Sequence, residues 1–130
     1  MIITGKVERV IDGDSVLVRT SASNVEDIRM KDVHSPEIGE LGHDEAKEYL
    51  KRLLPIGTAV TVDIEVDATN NPVKTAGKSR TVTITKTGGA GAGAAADRLV
   101  GTIERDNDGV DVNASMRAAQ NKGIIRKGGY

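Results

Sequence analysis

Three short segments of this 130-residue chain carry side chains with complementary chemistry: Ile11-Asp12-Gly13-Asp14-Ser15, then Arg29-Met30-Lys31-Asp32-Val33-His34-Ser35-Pro36-Glu37, and later Asp97-Arg98-Leu99-Val100. Hydrolysis of a phosphodiester asks for such a set. A hard cation on a non-bridging oxygen is held by carboxylates and carbonyls. A guanidinium fork matches phosphate bidentately and stays charged at every usable pH. A carboxylate within one water of the phosphorus handles the nucleophile. Each residue also has a plainer role when taken alone. Asp12-Gly13-Asp14 has the composition of a hairpin turn, Arg29 and Arg98 suit a solvated face, Glu37 suits a loop, and His34 suits an exposed position. Their joint order favours the chemical reading.

The bulk composition restricts what such a site can be. With no cysteine, neither a disulfide framework nor a thiolate metal centre is possible, so any metal must be held by oxygen or imidazole. The formal charge is −1, and the rings are limited to Tyr49 and Tyr130. A nucleic-acid partner must therefore be met by a local basic patch and not by base stacking. The candidate patch is Lys74, Lys78, Arg80 and Lys86 with Lys122, Arg126 and Lys127, which reads equally well as a solvated rim. No apolar run approaches a membrane span, and the first residues alternate like a strand instead of forming a signal peptide. The expectation is a cytoplasmic protein without a membrane partner, folded as one domain over 1–130.

The elements that must position these residues follow from apolar periodicity. Strands are expected over 3–10 and 15–19, joined by the Asp12-Gly13 turn. A third runs over 25–33, with Ile28 and Met30 on one face and Arg29 and Lys31 on the other. Extended geometry there would put Asp32 on the same face as His34, and Ser35-Pro36 would end the strand. Helical spacing of Ala46, Tyr49, Leu50, Leu53 and Leu54 predicts a helix over 43–54. Strand alternation returns over 58–66 and again over 98–104, and a second helix covers 112–120 with Asp111 or Asn113 near its cap. The segment 67–97 reads as an inserted hairpin with a Gly/Ala-rich flexible loop. This order fits a five-stranded, OB-fold-like Greek-key β-barrel with two helices and an inserted β segment.

In order and approximate spacing, Asp12-Gly13-Asp14-Ser15, Arg29, Ser35-Pro36-Glu37, Asp97-Arg98 and Val112-Asn113 resemble the staphylococcal nuclease (thermonuclease) family over nearly the whole chain. The resemblance implies a metal-dependent nuclease that hydrolyses DNA and/or RNA with little sequence specificity. It implies Asp14 and the Ser35 backbone carbonyl as metal ligands, with Ca2+ as the family's cation. Glu37 would orient or deprotonate the attacking water, and Arg29 and Arg98 would clamp the phosphate. His34 stands where the family has its second metal-binding Asp. Imidazole is a poor calcium ligand. Three outcomes are open: the site prefers a metal that tolerates nitrogen, such as Mn2+, Ni2+ or Zn2+; Asp12 or Asp32 compensates; or catalysis is lost. The last would leave an OB-fold module that binds nucleic acid or protein.

Overall fold

A computed structural model describes residues 1–75 and 97–128. Most of the expected inserted hairpin, its Gly/Ala-rich loop and the cations Lys78, Arg80 and Lys86 lie outside the described residues. The strands are β1 (Ile2–Asp12), β2 (Ser15–Ser21), β3 (Asn24–Met30), β4 (Ala59–Ile64), β5 (Lys74–Thr75) and β6 (Arg98–Arg105). The helices are α1 (His43–Leu53) and α2 (Val112–Asn121).

Period-two alternation gives each strand one apolar face, and the barrel is the way to bury all of them at once. β1 pairs antiparallel with β2 and β4, β2 with β3, and β4 with β6. A parallel pairing of β3 with β6, through Ile28↔Leu99, Arg29↔Val100 and Met30↔Gly101, closes the ring. The result is a closed five-stranded mixed barrel of the OB-like type, with β5 added on β6 through Lys74↔Leu99. Val16, Val18, Ile28, Met30, Val60, Val62 and Ile103 fill its interior and are fully buried. Register shifts in β1, between Val7 and Arg9 and between Val10 and Asp12, supply the bends that a barrel this small needs.

Both helices cover the barrel with the faces their sequences predict. α1 buries Ala46 and Leu50, places Asp44 and Glu45 at its positive end, and places Lys51 and Arg52 in its last turn. α2 begins at Asp111, whose Oδ1 accepts from the Ala114 N–H at 2.9 Å. That assigns the cap to Asp111. Asn113 instead turns into the barrel: its Oδ1 accepts from Ile103 N at 2.9 Å, and its Nδ2 donates to Lys31 O and Gly101 O, both at 3.0 Å. Among the described residues no helix is long and apolar enough to cross a membrane.

The third strand stops earlier than its alternation suggests. Lys31 N donates to Gly101 O at 2.9 Å, which completes the parallel seam, and the chain then turns through Asp32 at φ 59°. Asp tolerates this left-handed conformation better than most residues. The extended geometry expected to align Asp32 with His34 is therefore absent, and Asp32 is exposed in a turn.

Candidate functional site

The tight β1–β2 turn carries Asp12, Gly13 and Asp14 to one end of the barrel, where the loop after β3 lies across it. Gly13 is required by that crossing. A Cβ there would stand 2.7 Å from Ser35 Cβ and 2.8 Å from Ala46 Cβ, inside any tolerable contact. The close approach lets Ser35 N donate to Asp14 Oδ2 at 3.2 Å. On the other oxygen, Ser15 Oγ donates to Asp14 Oδ1 at 3.2 Å, and Arg98 Nη1 donates to Ser15 Oγ at 2.9 Å. Asp14, Ser15 and Arg98 are all buried.

Arg29 joins this chain from the third strand. Its Nη2 stands 3.6 Å from Asp14 Oδ2 and 3.4 Å from His34 Nδ1, while Nη1 donates to Met30 O and Val33 O, both at 2.6 Å. The two carbonyls hold one side of the guanidinium and direct the other at Asp14 and His34. With its side chain only 13% exposed, the pair is electrostatically stronger than a surface ion pair. The structure thus brings together Asp14, Arg29, His34, Ser35 and Arg98, which come from three separate stretches of sequence.

The remaining expected residues sit around this network. Asp12 is fully buried, and its Oδ1 lies 3.4 Å from the Asp14 N–H, a turn-stabilising position. Glu37 is half-buried just past Pro36, and its N–H donates to Glu40 Oε1 at 2.6 Å. His43, the first residue of α1, places Nδ1 3.0 Å from Pro36 O and so ties the Glu37 loop to that helix. Lys74 lies in β5, whereas Lys122, Arg126 and Lys127 lie exposed in and after the turn that follows α2.

Two contributors were not singled out from the sequence. Gln120 Nε2 donates to His34 O at 2.9 Å, and Gly128 N donates to the same oxygen at 2.6 Å. Gln120 lies seven residues after Asn113 on α2, two helical turns along the same face, so periodicity alone would have located it. Ser35 Oγ is buried without a hydrogen-bond partner among the described residues.

The donor set can be matched against cations. Among the described residues no group of three or more His, Asp or Glu side chains is placed to hold a metal ion. What the network offers is one carboxylate at Asp14 and one imidazole at His34, both beside Arg29 Nη2. Calcium, which takes six to eight oxygens, does not fit that set. A mixed oxygen and nitrogen set suits Mn2+, Ni2+ or Zn2+. No protein-family model matches the chain, and no curated protein matches it.

Proposed function

We propose that this chain is a metal-dependent nuclease of the thermonuclease type, hydrolysing phosphodiester bonds of DNA and/or RNA with little sequence preference. One observation carries the proposal. Asp14, Ser35, Arg29 and Arg98 meet in a single hydrogen-bonded and ion-paired network at one end of the barrel, with Glu37 two residues from Ser35. A packing role alone gives no reason to gather two guanidinium groups and a carboxylate in one place, because burying charge costs stability.

In the proposed mechanism the substrate phosphate displaces Asp14 and His34 as the partner of Arg29 Nη2. Arg29 keeps its orientation because Met30 O and Val33 O retain Nη1. Arg98, positioned through the Ser15 hydroxyl, stabilises the negative charge that grows on the phosphoryl oxygens. Glu37 accepts a proton from the attacking water or fixes its direction. A divalent cation held by Asp14, His34 and the Ser35 carbonyl would polarise a non-bridging oxygen.

A second reading, a binding module without turnover, is favoured by one specific feature. Asp14 is fully buried and both of its oxygens already accept protein hydrogen bonds, so the carboxylate is closed off. Cleavage of plasmid and single-stranded DNA, with Ca2+, Mg2+, Mn2+ and Ni2+ in turn, separates the two. The nuclease reading expects cleavage with Mn2+ or Ni2+ but not Ca2+, abolished in Glu37→Gln, and a gain of calcium response in His34→Asp. Wild-type inactivity with every metal, with activity appearing in His34→Asp, selects the binding module. Cleavage that survives Glu37→Gln removes Glu37 from the proposed mechanism.

A further inference from the structure

A second cationic feature lies outside the network just described. Arg9, Val10 and Ile11 of β1 face Lys47 and Lys51 of α1 across a cleft of about 270 Å³. We infer that this cleft is a phosphate-binding subsite that holds the backbone of a nucleic-acid strand beside the Asp14–Arg29–Arg98 end. The inference rests on the nucleic-acid reading above for its ligand, but on separate residues.

Three observations support it. First, the cations are under-compensated. Lys47 and Lys51 are four residues apart and so share one face of α1, where like charges repel. Lys51 reaches Glu48 at 3.4 Å, but Arg9 and Lys47 make no ion pair among the described residues. Elsewhere on the barrel Arg19 pairs with Glu8, Lys31 with Glu65 and Arg105 with Asp108. In a chain of net charge −1, three cations around one cleft are a local concentration and not a reflection of overall charge.

Second, the strand is shaped to present them. The two register shifts in β1 bracket the Arg9–Val10 step, and such bulges re-aim the side chains beside them. Val10 and Ile11 run along the cleft between the cations, so that a sugar can lie against the strand while its phosphates meet the charged side chains.

Third, the position is right for a strand that also visits the arginines. Ile11 lines the cleft, and three residues further on is Asp14, at most about 10 Å of extended chain. Among the described residues the cleft has no aromatic lining, so it would read phosphate and sugar only. Flexible lysine stems suit contact with a moving backbone better than capture of one rigid anion.

The test uses the full chain in EDTA, so that no cleavage intervenes. Labelled single-stranded DNA is titrated by fluorescence anisotropy at several salt concentrations against wild type, against R9Q/K47Q/K51Q and against K122Q/R126Q/K127Q. The cleft variant is expected to bind at least about tenfold more weakly, with the salt slope reduced by about 2, and the tail variant to lose less. Equal losses in both variants, or an unchanged slope in the cleft variant, overturn the inference. Amide chemical shifts of the wild-type protein give an independent readout with inorganic tripolyphosphate. Saturable shifts at Arg9, Lys47 and Lys51 with both tripolyphosphate and DNA support the subsite. Shifts with tripolyphosphate alone assign the cleft to free phosphoanions and overturn its backbone role. A protein that binds DNA through the cleft but never cleaves it sinks the catalytic reading and leaves the subsite standing.

Discussion

Two buried polar regions of this barrel are built on opposite principles. Around Asn113, one neutral amide satisfies Ile103 N, Lys31 O and Gly101 O, and no charge is buried. Around Asp14, a carboxylate, two guanidinium groups and an imidazole are concentrated, and Ser35 Oγ has no partner among the described residues. The first arrangement is what stability selects, because buried polar groups cost little once they are fully paired. The second sets desolvation against Coulombic attraction and gains little net stability. The contrast separates an amide that anchors α2 to the barrel from a charged cluster whose burial adds little to stability.

Substitutions can break or sharpen that contrast. The largest effect is expected for Asn113→Ala, which strands the Ile103 N–H, takes one of two donors from each of Gly101 O and Lys31 O, and should cost about 3 kcal/mol in urea unfolding. A cost below about 1 kcal/mol would remove the anchor from the comparison. Gly13→Ala drives a methyl into Ser35 and Ala46 and should cost about 2 kcal/mol while displacing the Ser35 loop. Asp14→Asn is expected to cost only about 1 kcal/mol, because Arg29 keeps Met30 O and Val33 O and the amide oxygen still accepts from Ser35 N. A loss as large as that of Asn113→Ala would make the Asp14 end structural after all. Ser35→Ala removes a hydroxyl without a partner among the described residues and should leave stability within about 0.5 kcal/mol of wild type.

The smallest effect concerns neither region and sets the baseline. The Arg19 hydrogen bond lowers the pKa of Glu8, the Thr69 hydroxyl lowers that of Asp67, and Arg105 lowers that of Asp108. Each carboxyl binds its proton more readily in the unfolded chain. Its contribution is therefore present above the unfolded pKa, near about 4, and is lost as pH falls through the lower folded value. Since these groups are largely exposed, thermal scans across acid pH should show a shallow decline. A steep drop would show that these three exposed carboxyls do not account for the acid dependence.

Much of the barrel was legible in the sequence because it is written in short-range patterns. Alternation located all five barrel strands, and the spacing of Ala46, Leu50 and Leu53 located α1 to within a residue or so. The end of β3 was not legible. Its alternation continues through Val33, but the left-handed Asp32 and the parallel seam with β6 terminate it, and that seam depends on chain that arrives much later. The candidate site was legible as a set of residue types, and the structure places Asp14, Arg29, His34, Ser35 and Arg98 together. How each side chain is held was not, since the carbonyls of Met30 and Val33 act through backbone geometry that no motif encodes. Asn113 appeared in the sequence only as part of a motif or as a possible cap. Its inward orientation follows from Asp111 taking the cap.

The parallel seam also bears on the order of events in folding. It joins residues 28–30 to 99–101, so the ring closes only after most of the chain has been gathered, the kind of long loop closure that slows a search. Arg29 sits in that seam, and Arg98 immediately precedes its β6 side. A chain arrested before β6 docks would hold a formed β1–β2–β3 meander with Asp14 and Arg29 present but Arg98 missing. The two guanidinium groups thus come together in the same late step that completes the barrel, and any excursion that peels β6 away would disassemble the cationic pair before the rest of the sheet is lost.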